Sequence, residues 1–214
     1  INCDWGANIG KVMLRHQGNS PEKTASAWAA AGSDARMSGC EKPVIICSGS
    51  GNQGITASVP VVIYARELGK TEEELLKAVA LSDLVTIHQK TGIGRLSAYC
   101  GAISAGVGAG AGICYLLGGG YRAVSHTIVN AVAILSGTIC DGAKPSCAAK
   151  IAAAVDAGIM GYRMYLHHKE FRSGEGIVAG SVDDTIANVG MLAAQGMQQT
   201  DHTILRIMQD GECM

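Results

Sequence analysis

The chain has few large aromatic side chains: one Phe, two Trp and six Tyr stand against 29 Gly in 214 residues. An interior poor in aromatics must close mainly through Ala, Val, Ile, Leu and Met, which predicts close contact between helices across small residues. The chain also lacks an excess of either charge. A net charge of −1 gives no electrostatic footprint for nucleic acid or an anionic membrane. Eight cysteines are too few for a disulfide-stapled small scaffold, and with no secretory signal recognisable the expected setting is a reducing cytoplasm. The opening Ile1-Asn2-Cys3-Asp4-Trp5 reads as the middle of a structure, so residues 1–214 are expected to be one domain, the C-terminal part of a longer protein.

Two uncharged stretches, residues 96–121 and 123–140, are long enough to span a bilayer. The first, however, holds Gly106, Gly108, Gly110 and Gly112, and the second holds His126, Asn130 and Ser136. Neither has the Leu, Ile and Phe density that drives insertion, so both are expected to be central helices of a soluble domain. Each helical glycine costs about 1 kcal/mol relative to alanine, which implies that backbone must approach a ligand or a neighbouring helix here.

Helical signals dominate elsewhere. Ser20-Pro21-Glu22 places a cap and a first-turn proline before an alanine-rich helix ending near Gly32. Thr71-Glu72-Glu73-Glu74 is a capping box before Leu75, Leu76, Val79 and Leu84 at helical spacing. Further helices are expected over about 54–68, 97–117, 122–138, 145–168, 181–195 and 200–209. The strand-like runs are Pro43-Val44-Ile45-Ile46 and Gly176-Ile177-Val178. The fold class is all-α, with function placed at glycine-rich breaks.

Three breaks carry chemistry. In Cys47-Ser48-Gly49-Ser50-Gly51-Asn52-Gln53-Gly54 the glycines let backbone approach a ligand, and the following helix start aims N–H groups at an anion. The Gly-Lys-Ser/Thr ending of a phosphate loop is missing, so Ser48, Ser50, Asn52 and Gln53 are read as binding a small carboxylate substrate, against the alternative of an ordinary polar turn. In His88-Gln89-Lys90-Thr91-Gly92, His88 and Lys90 are candidates for proton transfer. Ser33-Asp34-Ala35-Arg36 reads as an ion pair connecting helices. The third break gathers Cys100, Cys140 and Cys147 in Gly/Ala-rich surroundings, with Asp141, Lys144 and Lys150 beside them. The Cys-x6-Cys spacing identifies no metal, and buried core thiols remain the alternative to an iron–sulfur or zinc site.

These segments together resemble the L-serine dehydratase alpha-chain superfamily, and most nearly its L-cysteine desulfidase branch. The residues that carry the resemblance are Ser48 to Gly54, His88 to Cys100, and Ile139 to Lys150. It implies an all-α domain with a [4Fe–4S] cluster on Cys100, Cys140 and Cys147, without pyridoxal phosphate. It further implies a lyase that splits an amino acid into pyruvate and ammonia, with His88, Lys90, Lys144 and Asp141 around the reacting atoms. Cysteine is the expected substrate, with serine, or a non-catalytic binding domain, as the alternatives. Complete members carry an N-terminal half with a Cys-Thr-Glu-Pro motif that nothing here matches, so that half is expected to complete the site. An Ala/Gly-rich core is compatible with a homodimer.

Overall fold

In the computed structural model, residues 1–17 and 20–211 are described. Among them are nine α-helices and no strand: α1 Ile9–Gln17, α2 Pro21–Met37, α3 Gly51–Glu67, α4 Glu72–Ile93, α5 Gly101–Leu116, α6 Tyr121–Leu135, α7 Cys147–Leu166, α8 Val182–Met191 and α9 Gln198–Gly211. A single π turn, Leu192–Gly196, joins the last two. No helix of the described residues is long and apolar enough to cross a membrane. The expected α-helical class and most expected helices are present. The strand-like run at residues 43–46 instead forms no strand, with Ile45 84% exposed and no neighbouring segment among the described residues pairing with it, and residues 176–178 lie at a turn.

Helix α5 is the axis of the domain, packed against α3, α4, α6 and α7. Its glycines divide into two faces. A Cβ on Gly106 would lie 2.5 Å from the Ala154 carbonyl carbon, and one on Gly110 would lie 2.6 Å from the Gly158 oxygen, both on α7. A Cβ on Gly108 would overlap Ser82 O and Thr86 Oγ1, and one on Gly112 would reach Ala78 O at 2.7 Å, all on α4. The i, i+4 spacing within each pair puts its members one above the other on a helix. The alternating glycines therefore serve two backbone-to-backbone seams, which the scarcity of aromatics makes necessary.

The seams also fix registers. Four residues along α5 match four residues forward on α7, so these helices run parallel; the same step is matched by four residues backward on α4, which runs antiparallel. Eight residues back from Gly108 is Cys100, and eight residues forward from Ser82 is Lys90. Extended back along α7, the other seam brings Cys100 level with the Cys147–Ala148 step. Sequence-distant residues are thus brought to one end of the bundle by glycine contacts two turns away.

Candidate active site

At that end a cavity of about 300 Å³ is bordered by Cys100, Cys140 and Cys147 together with Ser50, Asn52, Gln53 and Lys90. Three helix N-termini open onto it. Cys100 is the N-cap of α5, Cys147 is the first residue of α7, and Ser50 is the N-cap of α3. None of these helices has a side-chain cap, whereas α2, α4 and α8 are capped by Ser20, Thr71 and Ser181. Among the described residues the N–H groups of Gly51, Asn52 and Gln53 find no protein acceptor. Uncapped first turns carry partial positive charge and favour an anion or a thiolate.

Two short antiparallel bridges build the walls. Tyr99 pairs with Ile139, with Cys100 N donating to Thr138 O at 2.9 Å and Cys140 N to Ala98 O at 2.6 Å. This pairing begins α5 only at Gly101 and holds Cys140 beside Cys100. Cys47 pairs with Ser50 across Ser48 and Gly49, which both have positive φ, +48° and +100°. Positive φ at both central positions is the type I′ pattern, and a left-handed serine stores roughly 1 kcal/mol.

The thiols are electrically coupled. The neighbouring Cys100 thiol, with the Gly142 N–H and Lys150, lowers the pKa of Cys140, while Cys100 is pushed up by Cys140 and by burial. The Cys147 thiol donates to Gly142 O at 3.7 Å. Burial lowers the pKa of Lys90, which is 5% exposed, against the opposing pull of the Cys140 and Cys100 thiols. Lys150 donates to Asp141 at 2.7 Å and to Ile139 O at 3.0 Å; although partial burial opposes its charge, Asp141 and the thiols hold its pKa above the usual value.

The expected site residues do not all reach the cavity. His88 is exposed and pairs with Asp183 at 2.9 Å, outside it. Ser48 faces an adjoining depression with Ile46, Ile87 and Thr91, which shares Gly49, Lys90 and Arg95 with the cavity. Asp141 and Lys144 form an ion pair behind the wall, and Lys144 and then Lys150 bring the Asp141 carboxyl down to about 2. Two arginines not expected at the site, Arg36 and Arg95, do border the cavity. The expected ion pair at Asp34 and Arg36 does not form. Asp34 accepts from Ile9 N at 2.7 Å and so caps α1, which leaves Arg36 to the cavity.

Among the described residues no three His, Cys, Asp or Glu side chains form a ready site for one metal ion. The donor set suits a larger anionic group. Three thiols, the cations Arg36, Lys90, Arg95 and Lys150, and no carboxylate line the cavity. Soft thiolates in a positive, partly buried setting are what an iron–sulfur cluster requires, so the residues fit such a group.

The chain is 63% identical to a UPF0597 protein of Desulfitobacterium hafniense, covering 96% of this chain and 48% of that protein. A UPF0597 protein of Lachnoclostridium phytofermentans is 53% identical over 95% of this chain and 49% of its own length. One of Treponema denticola is 48% identical, with 97% and 49% covered. The chain thus spans about half the length of the curated relatives it matches. No solved structure matches it significantly. The family profile described as serine dehydratase alpha chain matches residues 3–206, the span that holds all three cavity cysteines and the α3 start, and the chain belongs to that family.

Proposed function

We propose that this chain carries the iron–sulfur site of a lyase that breaks L-cysteine into pyruvate, ammonia and hydrogen sulfide by β-elimination. Members of the family generally use a [4Fe–4S] cluster, and membership suggests a related lyase. The observation that carries the reading is the convergence of Cys100, Cys140 and Cys147 on one cavity ringed by cations and free of carboxylates. Those cysteines would hold the cluster, which when bound supplies a Lewis acid for the leaving sulfur or hydroxyl.

The protein's own groups account for the remaining requirements. The first turn of α3, with Ser50, offers N–H groups to the substrate carboxylate. Lys90 Nζ, with its pKa lowered by burial, takes the α-proton, since a buried lysine spends more time as the neutral amine near neutral pH. Lys150, with Asp141 and Lys144 behind it, holds the Cys140–Cys147 loop in place and favours the thiolate form. The aminoacrylate released by elimination tautomerises and hydrolyses without further help. Cysteine is preferred over serine because a soft sulfur suits iron better than a hydroxyl. Serine is the second reading, favoured by the description of the family itself.

We assign completion of the site to the half that the longer relatives carry beyond this match. The test is anaerobic reconstitution with iron and sulfide, of the chain alone and joined to such a half, followed by assays of pyruvate and sulfide from L-cysteine with L-serine alongside. Cys140→Ser is expected to lose the visible iron–sulfur absorption and both activities together. A reconstituted, joined protein that releases product from neither amino acid rejects the lyase in favour of a binding domain.

A further inference from the structure

We propose that Arg36, at the end of α2, selects the substrate class. Its guanidinium and the free N–H groups at the α3 start take the carboxylate of a small α-amino acid, while the amide oxygens of Asn52 and Gln53 take its ammonium. What happens to the amino acid afterwards rests on the lyase reading above; its capture does not.

Arg36 lies against the α3 start so closely that a Cβ on Gly51 would stand 2.6 Å from its Nε and 3.0 Å from its Cζ. Among the described residues it has no carboxylate partner, whereas Arg163 is paired with Glu22. The other cavity cations are placed differently. Lys150 is bound to Asp141, Lys90 stands with the thiols, and Arg95 is exposed. A planar guanidinium beside converging N–H groups matches a carboxylate with two parallel hydrogen bonds.

The second, independent observation is a pair of acceptors without donors. Asn52 and Gln53 are 7% and 5% exposed, and neither Asn52 Oδ1 nor Gln53 Oε1 has a hydrogen-bond partner. Asn52 is oriented by its Nδ2, which points to Met37 Sδ at 3.7 Å, leaving the oxygen free. The Gln53 amide lies on the Cα of Gly101, where a Cβ would come 2.5 Å from Nε2. An anion alone explains Arg36 but leaves these oxygens unmatched, and a simple amine explains only the oxygens. A zwitterion, with a carboxylate and a three-donor ammonium on one carbon, satisfies both.

Calorimetric titration of the chain joined to the second half of the longer relatives, without added iron, with three probes decides the matter: L-serine, ethanolamine, which lacks the carboxylate, and 3-hydroxypropionate, which lacks the ammonium. The wild type is expected to bind serine at least about tenfold tighter than either fragment, the worth of one charge-assisted hydrogen bond. Arg36→Gln should weaken serine and 3-hydroxypropionate by about 10- to 100-fold and leave ethanolamine unchanged. Arg36→Lys, which keeps the charge but loses the fork, should fall between and guards against a folding defect. Gln53→Met should weaken serine and ethanolamine only. Gly101→Ala should reproduce that pattern by displacing the Gln53 amide while leaving its chemistry intact. No serine binding by the wild type, or equal losses for all three probes, overturns the proposal. A chain that binds serine in this pattern yet releases no pyruvate, even joined to the second half, keeps it and rejects the lyase. Turnover with an unchanged KM in Arg36→Gln does the reverse.

Discussion

Replacing Gly110 by alanine tests the seam that sets the site. The new Cβ would stand 2.6 Å from the Gly158 oxygen, where ordinary contact begins near 3.4 Å, so α5 and α7 must part by about 0.8 Å, the difference between the two. Two effects oppose each other. Alanine gains about 1 kcal/mol of helix propensity over glycine. Overpacking against backbone, which has no rotamer to move aside, costs about 3 kcal/mol, the upper end of the usual range. The net loss is about 2 kcal/mol, a fall in Tm of about 4–8 °C for a chain of this length. The control is Gly180→Ala, where a Cβ would meet nothing within 4 Å, and its Tm should stay within about 2 °C. The assay is thermal unfolding by circular dichroism of the reduced chain, with iron incorporation measured in parallel, since parting the helices also parts Cys100 from Cys147. A Gly110→Ala protein as stable as the wild type, or more so, would show that propensity wins and that the helices are not in backbone contact.

Lys90→Met removes a buried cation. Because burial lowers the pKa of Lys90 in the folded chain, the wild type carries a penalty below that value that disappears as pH rises towards 10.5, so Lys90→Met should gain most stability at neutral pH and little above pH 10.5 in urea melts. A gain independent of pH would remove the basis for Lys90 as the proton acceptor. Reconstituted Lys90→Met should keep its visible absorption and lose pyruvate release. Thr71→Ala should cost about 1 kcal/mol through loss of the capping box, measured by chemical denaturation. The Thr71 N–H, then Lys70, hold the Glu74 carboxyl down to about 2, so its share of that cap should be complete above about pH 4.5 and fade as pH falls towards 2, in Glu74→Gln against wild type.

How far the sequence disclosed this arrangement varied with how local each cause is. The capping box, the first-turn proline and the helical spacing of Leu75 to Leu84 are written within a few residues, and α2, α4 and most other helices could be read from them. Helix α1 could not, because its N-terminus is capped by Asp34, 25 residues away. Gly32 looked like a helix end but lies inside α2, where it lets Ile55 approach; a Cβ there would be 3.1 Å from Ile55 Cγ2. The start of α5 was expected near residue 97, since the bridge between Tyr99 and Ile139 depends on a segment 40 residues on. The polar breaks pointed to the cavity cysteines, Asn52, Gln53 and Lys90. The sequence did not disclose which breaks face inward. His88 and Lys90 are two residues apart and therefore fall on different sides of α4, one towards solvent and Asp183, the other towards the thiols. The place of Arg36 at the cavity was missed because Asp34, two residues away, offered an obvious partner that a remote helix start had already claimed.

The seam between α5 and α7 bears on the order in which the protein is assembled. Its contacts are carbonyls and α-carbons, and the neighbouring core of Ile103, Val107, Ile151 and Val155 is fully or almost fully buried. Drawing residues 100 and 147 together is therefore driven by apolar burial, with no contribution needed from an inorganic component. On the proposed iron–sulfur reading the cavity would be a mould cast by folding and filled afterwards, unlike zinc fingers, whose chains order only around their ion. A chelator should accordingly bleach such a protein and leave it folded, ready to be charged again once iron and sulfide return.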